Sequence, residues 1–275
     1  MVQHITAPRL GGRPFQSFII AALILLVASG GGAQPSPGQG TPGPAEGAAP
    51  AKKPAAPGPD KAADRELIDR MIILWAQSKN TWMKNKWLGI PTLQNPVDAW
   101  VTQEIIFEVK PDFIVEAGTA AGGSATLWAT ILEQVNPNGR VITIDVVDAA
   151  AAARRVPVVQ RRVDFLLGSS TDAKIVEEVK RRVAGRPAMV ILDSLHTREH
   201  VLNELRSYAP IVPVGSYIVV QDGMFNGHPL PEGWGPGPYE AVEAFLQENS
   251  GFVVDRDRER LMLTFNPKGF LRRVK

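Results

Sequence analysis

From Asp98 onward the chain alternates between two apolar rhythms. Short, largely apolar runs, the pattern of strands buried on both faces, are separated by stretches in which apolar residues recur every three or four positions. The runs predict strands over 113–117, 141–146, 164–167, 188–192 and 216–221, and the longer period predicts helices over 123–135, 172–183, 197–208 and 239–249. Two further strands, 252–255 and 261–265, close the pattern. Such alternation implies an α/β, Rossmann-like fold: a mostly parallel sheet with helices on both faces. Upstream, Leu67, Met71, Ile72, Leu74 and Trp75 set a helical spacing across 62–78. The Trp-rich stretch 80–91 is irregular, and Pro96 suits the first turn of a helix running to about Val109. Residues 61–275 therefore read as one domain, with 61–110 as its N-terminal helical cap.

Ligands of such sheets bind beyond the carboxyl ends of the strands, where the strand order reverses. The first strand ends in Glu116-Ala117-Gly118, and after Thr119-Ala120-Ala121 the helix opens at Gly122-Gly123-Ser124. Glycines let a backbone turn tightly and approach a ligand. The second strand ends in Asp145, where a carboxylate can hold the hydroxyls of a ribose. The dinucleotide fingerprint places a glycine where this chain has Glu116. A carboxylate there repels a pyrophosphate but suits a ligand carrying an ammonium group. The expected cofactor is S-adenosylmethionine, held by Glu116, Gly118, Thr119, Gly122, Gly123, Ser124 and Asp145, and a nicotinamide oxidoreductase is disfavoured. Ser169 and Ser170, after the third strand, read either as lining for the adenosine pocket or as a helix cap.

Asp193 and His196 follow the fourth strand, and Gln221 and Asp222 follow the fifth. Adjacent strands would bring Asp193, Gln221 and Asp222 within reach of one ion. Two carboxylates and an amide are hard oxygen ligands suited to Mg²⁺. Asp193 also borders the cofactor. His196 could remove a proton from a substrate hydroxyl whose pKa a metal has lowered. Each residue has a plainer reading: Asp193 as a cap for the next helix, His196 as a structural histidine, Asp222-Gly223 as an ordinary turn. The long 223–237 loop, with Phe225, His228 and Trp234, is expected to cover an acceptor pocket, Trp234 either stacking on a sugar or pinning the loop.

Composition adds the leader. Arg9 and Arg13 precede an apolar stretch of about 14 residues that ends in small residues, the layout of a secretory signal over 1–33. The stretch is shorter than the ~20 residues a spanning helix needs, so a membrane anchor is the second reading and a misassigned start codon the third. Gly, Pro and Ala dominate 34–60, which reads as a disordered linker. The basic excess lies in this leader, so the domain offers no positive face for nucleic acid. The chain has no cysteine, which excludes disulfides and thiolate sites. A homo-oligomer is left open.

Trp87-Leu88-Gly89-Ile90-Pro91, Pro96-Val97-Asp98 with Gln103-Glu104, the Glu116 to Ser124 turn, Gly168-Ser169-Ser170, Asp193 with His196, and Asp222-Gly223 together resemble the cephalosporin hydroxylase family. That family groups with rhamnosyl and macrolide-sugar O-methyltransferases. The resemblance spans roughly 80–265. It implies a Mg²⁺-dependent O-methyltransferase fold and activity, with S-adenosylmethionine as donor and a sugar, glycan or other hydroxylated small molecule as acceptor. It implies Asp193 and Asp222 as metal ligands and His196 as general base. The family has Glu where this chain has Gln221, which should weaken the metal site. Against this, the leader points to a second function: an exported binding domain that keeps the fold without catalysis.

Overall fold

A computed structural model describes residues 61–275. The signal-like segment and the linker expected before it lie outside the described residues. Among those described, no helix is long and apolar enough to cross a membrane.

The described part opens with helix α1 (Lys61–Gln77) and a hairpin of two short strands, β1 (Lys86–Trp87) and β2 (Ile90–Pro91), inside the stretch expected to be irregular. Helix α2 (Pro96–Val109) begins at Asn95, whose side chain accepts from the Val97 amide, with Pro96 at the first turn. Seven strands then build the sheet: β3 (Phe113–Ala117), β4 (Arg140–Asp145), β5 (Val163–Leu167), β6 (Ala188–Leu192), β7 (Tyr217–Val220), β8 (Phe252–Val254) and β9 (Phe270–Arg273). Between them run α3 (Gly123–Val135), α4 (Pro157–Arg162), α5 (Ala173–Val183), α6 (Arg198–Tyr208) and α7 (Pro238–Glu248). The order across the sheet is β5-β4-β3-β6-β7-β9-β8. Strands β5 through β7 are parallel, and β9 is antiparallel to both its neighbours.

Alternation along each strand divides the core. Phe113, Val115 and Ala117 face α5, α6 and α7, whereas Ile114 faces α2, α3 and α4. Two expectations are corrected. The 261–265 run is not a strand, and the final strand is β9. Within that run Phe265 is buried instead in a small core beside α1, edge-on to Trp75 and Trp82 with its amide donating to Asp98, while Leu261 and Met262 stay exposed. Helix α4 has no counterpart in the expected pattern, because six residues are too few to display a helical period.

Candidate active site

The chain leaves β3, builds outward through β4 and β5, then returns to lay β6 against the other edge of β3. The crevice this reversal creates lies above β3 and β6. Gly118 sits there at φ +99°, and a Cβ on it would lie 1.9 Å from the Asp193 carbonyl oxygen. Only glycine lets the two strand ends approach so closely. Gly123 is similar, its missing Cβ occupied by the Pro91 carbonyl at 2.1 Å. Gly122, left-handed at φ +81°, starts α3.

Asp145 ties this turn to β4. One carboxylate oxygen accepts from the amides of Thr119 at 3.0 Å and Ala120 at 2.9 Å, and the other accepts from the Val147 amide. The Thr119 hydroxyl lies 2.7 Å from that of Thr143. A shallow cavity opens at the ends of β4 and β5, lined by Thr119, Asp145, Val147, Arg154, Phe165 and Leu167. Arg154 stacks its guanidinium over the Phe165 ring at 3.8 Å. A larger hollow between α6, α7 and β8 contains none of these residues.

Glu116 departs from expectation. Strand alternation turns it toward α3 rather than the crevice, and only 1% of it is exposed. Its carboxyl accepts from Trp128 Nε1 at 3.0 Å and Thr143 Oγ1 at 2.5 Å, and Ser124 also bonds to it. Burial pushes its pKa up to about 7 despite those bonds. Glu116 therefore holds β3, β4 and α3 together, and the charge argument that made it face a ligand ammonium fails for this geometry. Ser170 is likewise turned inward, to Glu204 and His200, while Ser169 reaches Thr171. Neither serine caps α5, since Asp172 does.

Across the crevice, Asp193, His196 and Asp222 converge, with one ligating atom from each within 4.8 Å of the others. His196 Nε2 lies 3.3 Å from Asp193 Oδ1 and 3.4 Å from Asp222 Oδ2. Burial pulls the imidazole pKa down, but the bond to Asp193 and the charges of Asp222, Asp193 and Glu204 outweigh it and set it at about 9. Burial also pushes the Asp222 carboxyl up, against the opposing pull of His196. Asp193 is not a helix cap, because Thr197 caps α6. Asp222 occupies a left-handed turn at φ +58°. Gln221, 6% exposed, directly follows β7, its backbone N–H donating to the Leu192 carbonyl.

The 223–237 loop folds over this cluster. Phe225 lies 5.7 Å from the His196 ring and stacks on Trp234 at 4.6 Å. Trp234 donates to the His196 carbonyl, so it pins the loop. His228 is drawn away to Glu240 and Tyr239 at the start of α7. Gln94, Asn266, Arg154 and Phe165 were not singled out in the sequence. No local motif marks them: Gln94 and Asn266 gain their setting from Asp193 and Asp222, distant along the chain, and Arg154 and Phe165 from stacking on each other.

A family described as Rhamnosyl O-methyltransferase/CmcI matches residues 79–274. A rhamnosyl O-methyltransferase of Mycobacterium tuberculosis is 38% identical over 203 residues, covering 72% of this chain and 81% of that protein. One from Mycobacterium leprae is 34% identical over 203 residues, covering 72% and 86%. Among solved structures, a CmcI structure described as Mg-SAM superposes with a TM-score of 0.55 at 19% identity, over 73% of this chain and 83% of its own. An apo CmcI structure gives 0.54 at 20% identity, over 70% and 77%. At those identities the structural likeness bears on the fold, which is the α/β arrangement described above.

Proposed function

The chain belongs to the rhamnosyl O-methyltransferase/CmcI family, and on that premise we propose that it methylates a hydroxyl of a sugar or similar small molecule, assisted by Mg²⁺. It is a S-adenosylmethionine-dependent O-methyltransferase. The observation that carries the finer reading is the convergence of Asp193, His196 and Asp222 beside the β3 turn.

The donor set suits a hard divalent cation. Two carboxylates face one another across the crevice, and in the protein alone an imidazolium answers both charges. Asp193 and Asp222 would hold the ion, with Gln221 beside them. Bound there, Mg²⁺ would lower the pKa of an acceptor hydroxyl and orient it. For the donor, the turn from Gly118 to Gly123 and the cavity at Asp145 and Phe165 offer the adenosine end a place at the strand tips.

In the transfer, the acceptor oxygen forms a bond to the methyl carbon while the carbon–sulfur bond breaks. The electron pair stays on sulfur, giving S-adenosylhomocysteine, and the hydroxyl proton goes to His196. Only the neutral imidazole can accept that proton, so the base role requires another cation to answer Asp193 and Asp222. His196→Ala is expected to keep its affinity for S-adenosylmethionine while losing about 10²- to 10⁴-fold in methyl transfer to a rhamnoside. Radiolabel transfer read beside calorimetric donor binding checks this, and unchanged turnover would remove His196 from the base role.

A further inference from the structure

An unusual density of enclosed polar side chains surrounds the start of α2 and the segment after 263. Gln94, Asn95, Asp98, Thr264 and Asn266 are all buried. Burying a polar group costs free energy unless it is hydrogen-bonded, so such a cluster needs a reason. The bonds run to both acidic residues of the site, to the carboxylate of Asp193 and to the backbone N–H of Asp222. Gln94 Nε2 donates to Asp193 Oδ2 at 2.9 Å. On the other side, Asp98 accepts from the Thr264 hydroxyl and from the Phe265 amide. The Thr264 hydroxyl oxygen accepts from the Asn266 amide at 2.9 Å, and Asn266 Oδ1 accepts from the Asp222 amide at 2.9 Å. Asn95 fastens the same segment through the Leu263 carbonyl.

Asp222 needs this help. A non-glycine residue at φ +58° is strained unless its surroundings fix it. The Asn266 bond holds the Asp222 backbone in the conformation in which its carboxylate lies 3.4 Å from His196 Nε2. Asn266 Nδ2 is enclosed with no hydrogen-bond partner among the described residues, so the side chain is held there for its oxygen.

We infer that residues 94–98 are the positioning platform of the cluster: Gln94 aims Asp193 directly, and Asp98 aims Asp222 through Thr264 and Asn266. The inference rests on the magnesium reading for its consequence in metal binding, but not for its geometry. Partners that orient metal ligands typically govern affinity by about 10- to 100-fold.

The test uses the full chain and four variants, Gln94→Met, Asn266→Ala, Thr264→Val and Thr264→Ser. The last keeps the hydroxyl and serves as rescue. Two quantities are read: Mg²⁺ affinity by calorimetry with S-adenosylmethionine present, and the His196 imidazole NMR signals without metal. The expected result is Mg²⁺ affinity weakened by about 10- to 100-fold in the first three variants, near wild type in Thr264→Ser. Donor affinity should stay within about two-fold, and the His196 signals should move in the three disruptive variants. If Asn266→Ala does not fold, the two Thr264 variants carry the same comparison. Mg²⁺ uptake absent from the wild type would overturn the magnesium reading, while the ring signals still report on positioning. Wild-type uptake with unaltered affinity and unmoved His196 signals in the variants would overturn the platform.

Discussion

Glu116 is enclosed between β3, β4 and α3, and its pKa stands at about 7 because burial outweighs the hydrogen bonds that favour its ionised form. The folded protein thus holds this proton more tightly than the unfolded chain, whose carboxyl has the ordinary value of 4.5. Stability contributed by this group is present at low pH and is lost as pH rises from about 4.5 through about 7. Between pH 5 and 8 the loss amounts to roughly 3 kcal/mol at ~1.4 kcal/mol per pKa unit. Glu116→Gln carries no ionisation, so its stability should fall less across that range, as read from denaturant midpoints. Parallel pH profiles for the two proteins would contradict the assignment. The sequence showed a carboxylate at the right position in the turn but not which way it points. Its direction follows from strand alternation and from Trp128 and Thr143, which hold it from within.

Elements were legible where their own residues decide them. The runs FIVEA of β3 and AMVIL of β6 are buried throughout, and a run apolar in all but Glu116 is what a strand covered on both faces displays. The 261–265 run forms no strand, and Leu261 and Met262 within it stay exposed. Its Phe265 instead joins Ile72 and Met224 in a small core beneath α1, with Trp75 and Trp82 packed on it. Removing that ring should cost about 3–5 kcal/mol, the usual range for a buried phenylalanine cut to alanine. Because Phe265 lies between Thr264 and Asn266, Phe265→Ala should also weaken Mg²⁺ binding. Chemical denaturation alongside metal titration measures both. A variant that loses stability without losing metal affinity would separate the α1 core from the site.

At the scale of the whole molecule, the sheet order matters more than any single motif. It brings the ends of β3, β6 and β7 together, and with them residues far apart in the chain: Gln94 meets Asp193 across 99 positions and Asp222 meets Asn266 across 44. Asp193, His196 and Asp222 could be read from the sequence because each follows a recognisable strand. Their supports could not, because no local spacing announces a partner that distant. The donor should bind the folded domain alone, so S-adenosylmethionine at 100 times its Kd should raise unfolding stability by about 2.7 kcal/mol. A thermal midpoint unmoved by the donor would contradict this. The most direct test of the central claim is a crystal structure with S-adenosylmethionine and Mn²⁺, a hard octahedral stand-in for Mg²⁺ with a measurable anomalous signal. The account predicts the donor over the β3 turn and an anomalous peak shared by Asp193 and Asp222. Donor bound at that turn with no peak between those two carboxylates would contradict it.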